Sequence, residues 1–197
     1  DHDQSMRTLT IECSSSVGSV ALTENNHPII SRSFENPRGR GTLLFSVLEE
    51  VIADSKTFDL VLVGTGPGSY NALRSSIAAA WGIAKARRIP VRGLSSMLGY
   101  DAQEYFVVGD ARSNQCFFAH VTEGCLTSPL ELLSPETAST RLIPGIPLYS
   151  TGANLLDATI LHPSASVLAS HAGSPSRCNG APSKRVTTSP GLTPAAA

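Results

Sequence analysis

The chain has 197 residues, 41% of them hydrophobic, and its 16 acidic and 15 basic residues give a formal net charge of -1. That supplies a core for one generous domain or two small ones, and a global field too weak to recruit nucleic acid, so any such contact must be local. No apolar stretch reaches the roughly 18 residues of a membrane helix, and no basic region followed by an apolar run opens the chain; the expectation is a soluble, unexported protein. Cys13, Cys116, Cys125 and Cys178 form no CxxC pair, and the first two sit in apolar strand-like runs. This favours a reducing, cytoplasmic compartment.

Met6 reads as the natural start, since DHDQS before it is polar and patternless. Three β-like runs follow, RTLTIEC (Arg7 to Cys13), GSVALTE (Gly18 to Glu24) and HPIISRSF (His27 to Phe34), divided by a serine-rich turn and by Glu24-Asn25-Asn26. In GTLLFSVLEEVIAD, residues Leu43, Leu44, Val47, Leu48, Val51 and Ile52 fall on one helical stripe. DLVLVG (Asp59 to Gly64) reads as a buried strand, and the spacing after its glycine turn predicts a helix from about Ser69 to Arg87, on which Leu73, Ile77, Ala80, Trp81 and Ala84 share a face. A brief strand is expected at Ile89 to Gly93, then Ser95 as N-cap of a third helix, Ser96 to Glu104. A meander feeding helix-separated strands suits the ribonuclease-H-like half of an actin-type α/β domain.

YFVVGDA (Tyr105 to Ala111), QCFFAHV (Gln115 to Val121), a strand around Leu130 to Leu133 and IPLYSTGA (Ile146 to Ala153) read as a second, smaller lobe, with Ser134-Pro135-Glu136 opening a short helix. The expected division is 6–104, 105–161 and a tail, 162–197, whose Ser, Pro, Gly, Ala and Thr content carries no apolar periodicity.

Three segments are candidates for chemistry. In GTGPGSYNALR (Gly64 to Arg74), glycines between a strand and a helix can point backbone amides at an anion, with Gly66, Gly68 and Ser69 as the candidates. The same residues also suit a plain strand-to-helix turn capped by Ser69, and neither GxGxxG, GxxxxGK[ST] nor GxSxG is present. In IECSSSVGSVAL, Glu12, Ser14 and Ser15 stand where actin-like ATPases place an acid and a phosphate loop; a hydroxyl-rich hairpin turn is the simpler reading of the same residues. From Leu60 to Tyr100 there is no acidic residue, whereas Arg74, Lys85, Arg87, Arg88 and Arg92 are basic, an arc for a tRNA backbone, an acidic partner or merely a helix C-terminus. His27, His120, His162 and His171 lack ligand spacing, so no metal site is assigned, and Asp110 with Arg112 reads as an ion pair or a turn.

LTIECSSSVGSVAL, GPGSYNALR, RGLSSM and GDARSNQCFFAHV, in that order, resemble the TsaB (YeaZ, glycoprotease-like) family of tRNA threonylcarbamoyladenosine biosynthesis proteins, from Met6 to roughly Ala153. The resemblance implies an actin-like (ribonuclease-H-like, ASKHA) fold with one full lobe and a smaller degenerate second lobe. It implies a non-catalytic scaffold that dimerises with the TsaD catalytic subunit, works with a TsaE-type ATPase, and meets tRNA indirectly. ATP and metal are then expected on the partner subunits, with none bound by this chain. The first two helices, Thr42 to Asp54 and Asn71 to Arg87, would form the partner interface through Leu44, Val47, Leu48, Val51, Leu73, Ile77 and Trp81, and a homodimer through the same helices is plausible on this reading. The catalytic relative's paired histidines are missing from NPRGRGTLLF, where Arg38, Gly39, Arg40 and Gly41 stand. Glu12 replaces the family's aspartate, Cys13-Ser14 its threonine-serine pair, and the proline-tyrosine-leucine-arginine ending is absent. The alternatives are an ATP-dependent actin-like-fold transferase or kinase, and a metalloprotease.

Overall fold

The computed structural model describes residues 5–36, 42–54, 57–152 and 155–173, with Thr42 and Asp54 described by backbone alone. Arg38 to Gly41, Ala153, Cys178 and the tail from residue 174 onward lie outside the described residues.

The first sheet is built as the alternation of apolar and polar residues dictates. Strands β1 (Arg7–Glu12), β2 (Val17–Glu24) and β3 (His27–Glu35) form an antiparallel meander, turned by Asn25 and Asn26 with φ of 49° and 67°. Asparagine tolerates that left-handed backbone better than most residues. β4 (Leu60–Gly64) and β5 (Val91–Leu94) add in parallel, giving the order β3-β2-β1-β4-β5. Helix α1 (Thr42–Asp54) packs on β2 and β3, and α2 (Tyr70–Arg87) packs chiefly on β4. Between them and the sheet lies an aliphatic core including Leu9, Ile11, Val20, Leu22, Leu44, Leu48, Val51, Val61, Val63 and Ala80.

The second sheet, β11-β10-β6-β7-β8, is made of β6 (Glu104–Asp110), β7 (Cys116–Thr122), β8 (Cys125–Leu126), β10 (Leu148–Ser150) and β11 (Thr159–Ile160), with β9 (Glu131–Leu133) pairing β7 off that path. Helix α3 (Pro135–Arg141) opens at Ser134, whose Oγ accepts from the Thr137 amide at 3.2 Å. That is the cap its sequence announces.

Three expectations are corrected. The third helix, Ser96 to Glu104, is one 3-10 turn, Ser96–Leu98, capped by Ser95, after which Glu104 already belongs to β6. Pro163 packs so close to Gly99 that a Cβ there would stand 2.6 Å from it, and no helical turn continues. The irregular stretch expected from His162 is, as far as Gly173, an ordered strap: α4 (Ala165–Ser170) lies across β1, β2 and β3 with Ala165, Leu168 and Ala169 fully buried. Fewer than two helical turns leave no periodicity to read, and packing supplies the helix instead. Third, Cys13 and Cys116 are buried free thiols as expected, but Cys125 is disulfide-bonded, which the scattered spacing does not announce.

Candidate functional site

The first sheet has two unlike faces. Leu9 and Ile11 of β1 point to the helices, while Thr8, Thr10 and Glu12, also buried, lie on the side that meets α4. Over the end of that second side opens a cleft of about 830 Å³. Its walls include Ser14 to Ser16 from the β1–β2 turn, Gly68 to Tyr70 at the start of α2, Asp110 at the end of β6, Leu130 and Leu132 before and within β9, and Ser150 to Gly152 from the end of β10 onward. Ser14, Ser15, Gly68 and Ser69, named from sequence, are therefore brought together at one cleft.

Glu12 is not in it. The side chain is fully buried, its Oε1 accepts from the Ser14 amide at 2.6 Å, and its Oε2 accepts from Ser96 Oγ at 2.8 Å. Burial pushes this carboxyl above the usual range, opposed by the bonds from Ser14 and Ser96. Burial, together with the neighbouring Glu12 charge, also pushes the Cys13 thiol up to about 12. A Cβ on Gly64 would come 1.8 Å from Glu12 Oε2, so the glycine that ends β4 makes room for this carboxylate. Glu12, a nucleotide-binding candidate from sequence, instead staples the β1–β2 turn to the segment after β5.

The glycine-proline turn is likewise committed to its own chain. The Ser69 amide donates to the Ser14 carbonyl at 2.9 Å, the Gly66 amide to Ser96 Oγ at 3.0 Å, and the Gly66 carbonyl accepts from the Ser96 amide at 3.0 Å. At Gly68 a Cβ would stand 2.1 Å from the Ser14 carbonyl oxygen, a backbone atom with nowhere to move. Gly66, with φ of 88°, occupies a conformation closed to most side chains. Two of the amides proposed to hold an anion are thus spoken for, and Ser69 sits at the N-cap position without a side-chain cap bond. Ser15 Oγ donates to the Val17 carbonyl at 2.9 Å and lies 3.1 Å from His162 Nδ1, tying the strap to the turn. Sequence reasoning missed His162 and Ser150, which reach this region only through the strap and through β10.

The interface residues named from sequence divide. Leu44, Leu48 and Val51 are buried in the core under α1, and Val47, Leu73 and Ile77 are half-buried, Val47 and Ile77 packing against that core. Leu44, Leu48 and Val51 are corrected to core positions, because the apolar stripe of a helix beside a sheet is spent on that sheet first. Trp81 is 60% exposed as an interface residue should be, and the other outward apolar groups on these helices are Leu43, Phe45 and Tyr70. Of the basic arc, Arg74 stacks over Tyr70, Arg87 over Phe58, and Arg92 donates to the Ala172 carbonyl, while Lys85 and Arg88 flank Trp81 in a shallow hollow. Asp110, read from sequence as part of an ion pair with Arg112 or a turn, lines the cleft.

A meander continued by parallel strands, helices on one face and a second sheet across a cleft define an actin-like α/β fold. Residues 41–131 match the family model described as TsaD, tRNA N6-adenosine threonylcarbamoyltransferase. The solved structure of YeaZ from Pseudomonas aeruginosa superposes with a TM-score of 0.68 at 22% identity, covering 85% of this chain and 91% of that one. A second Pseudomonas aeruginosa structure, described as similar to peptidase YEAZ, gives 0.69 at 19% identity over 84% and 89% of the two chains. Uncharacterized proteins of Mycobacterium bovis and Mycobacterium tuberculosis are 31% identical over 87 residues, 43% of this chain. That match spans only 41% of the length of those relatives. The family model thus matches the span from α1 to β9, and the two solved structures share the fold of most of the chain.

Proposed function

We propose that this chain is a non-catalytic scaffold and activator subunit in tRNA modification, which pairs with a TsaD-type catalytic subunit for threonylcarbamoyl transfer to the adenosine beside the anticodon, in the cytoplasm and together with a TsaE-type ATPase. The observation that carries the reading is the outer surface of α1 and α2, where Leu43, Phe45 and Trp81 stand exposed over a core that the same helices have already filled. Large apolar side chains left exposed on helices whose own core is already filled suit a protein partner. The span that matches the transferase-family model, 41–131, includes both helices. Arg74 and Lys85 on α2 and Arg88 at its C-cap are all exposed and suit a partner surface rich in carboxylates. α1 carries exposed Glu49 and Glu50, so a second copy of the chain competes for the same face through α1 against α2. Engagement of Glu12 by Ser14 and Ser96 supports a role without nucleotide chemistry of its own.

Reconstituting threonylcarbamoyl transfer from purified TsaD-type and TsaE-type subunits, threonylcarbamoyl-adenylate and tRNA, with and without this chain, tests the proposal. The expected result is modified tRNA only when the chain is present. Equal product without it removes the scaffold role.

A further inference from the structure

Glu12 is fully buried, and among the described residues its hydrogen-bond partners belong to Ser14 and Ser96, both uncharged. An acidic side chain without a cation is destabilising in a core, and an apolar side chain of similar length would avoid its desolvation. What the carboxyl group supplies instead is direction. Hydrogen-bonded networks of this kind fix one arrangement of the segments they join.

Each of its oxygens ends one of two arms that reach the start of α2. On the first, Ser14 donates its amide to Glu12 Oε1, and the Ser14 carbonyl accepts from the amide of Ser69, the residue before the helix, at 2.9 Å. On the second, Ser96 Oγ donates to Glu12 Oε2 and accepts from the Gly66 amide at 3.0 Å, while the Ser96 amide donates back to the Gly66 carbonyl. A hydroxyl has one hydrogen, so pointing it at Glu12 leaves a lone pair for Gly66. The usual fixings of a helix start are missing: Ser69 makes no side-chain cap bond, and the first turn of α2 holds no acidic residue. The two arms take the place of that cap. Tyr70 and Arg74 follow at once, and Trp81 stands about three turns further along the same helix.

We propose that Glu12 is a positioning residue for partner docking: it touches no partner itself, and its two hydrogen-bonded arms fix where α2 begins and how the helix is rotated, and so where Tyr70, Arg74 and Trp81 stand on the outer surface. The proposal rests on the scaffold reading above, to which it adds a buried determinant far from the docking side chains.

The test compares the full-length parent with Glu12→Gln and the unbranched, apolar Glu12→Met, each measured free and against a TsaD-type subunit. Amide hydrogen exchange of the free chain reads the start of α2: in Glu12→Met the amides of Gly66, Ser69 and Leu73 exchange at least about tenfold faster, while those of Ala84 to Arg87 at the other end stay within about threefold of the parent. Titration calorimetry then gives an affinity at least about tenfold weaker for Glu12→Met, restored to within about threefold by Glu12→Gln, whose amide group accepts from Ser14 and donates to Ser96. Should Glu12→Met fail to fold, Ser96→Ala, which removes the second arm alone, takes its place. Unchanged exchange at Gly66, Ser69 and Leu73 overturns the proposal, as does unchanged affinity in Glu12→Met. Glu12→Gln as weak as Glu12→Met also overturns it, because both arms survive that change. A parent that does not bind the catalytic subunit removes the scaffold reading and the docking half of the proposal together, whereas unchanged exchange removes the proposal alone.

Discussion

The two faces of the first sheet come from the same strands and do different work. On the helix side Leu9, Ile11, Val20, Val61 and Val63 meet Leu44, Leu48 and Val51 in an aliphatic layer, and nothing polar is asked of it. On the strap side Thr8, Thr10, Glu12, Ser19 and Thr23 are equally buried, and several are paired one by one, Ser19 Oγ accepting from the Ala165 amide at 2.9 Å. The contrast teaches where the molecule can change. The helix side is specified by volume and leaves its outer surface free for a partner, whereas the strap side is specified by individual hydrogen bonds and close glycine contacts.

The contrast breaks most severely at glycine. Gly68→Ala drives a Cβ toward the Ser14 carbonyl and is expected to unfold the β1–β2 turn against α2; overpacking ordinarily costs about 1–3 kcal/mol, and here the obstructing atom is backbone. Denaturant unfolding monitored by circular dichroism measures it, and a midpoint equal to the parent's would refute the close approach. Of comparable size is Leu48→Ala, a 4% exposed position beneath α1, expected to cost about 2–5 kcal/mol in the same assay. Were it neutral, the layer under α1 would not be the core described.

Glu12→Gln sharpens the other side. A carboxyl whose folded pKa is raised holds its proton more tightly when folded, so its contribution to stability grows as pH falls toward the unfolded value and is lost as pH rises through the folded one. Melting the variant and the parent from pH 8 down to pH 5 should show the parent gaining on the variant in acid, and a constant difference would contradict it. The comparison between the two chains matters because burial holds His162 and His171 below the ordinary histidine value, which destabilises both chains alike at acid pH. Smallest of all is the stability effect of Trp81→Glu, within about 0.5 kcal/mol for an exposed position.

Most of the framework was legible because it rests on long periodic segments: α1, α2 and the meander fall within a residue or two of their expected ends. What escaped was short or tertiary. α4 has six residues, β11 two, and both depend on neighbours far along the chain, as the bond from the Leu161 amide to the Ser150 carbonyl at 2.9 Å illustrates. The apolar stripe of α1 reveals that a face is buried but not by what, and it is their own sheet, not a partner, that covers Leu44, Leu48 and Val51. Of the cleft, Ser14, Ser15, Gly68 and Ser69 could be read from turn chemistry; Ser150 and Asp110 could not, since only the second sheet brings them opposite.

Calorimetric titration of a TsaD-type subunit with the parent chain, and with Trp81→Glu and Phe45→Glu, most directly tests the account that the outer face of α1 and α2 is the docking surface. Saturable binding by the parent, with each variant weaker by at least about tenfold at an unchanged melting temperature, is the predicted result. Binding that both variants retain in full would contradict it.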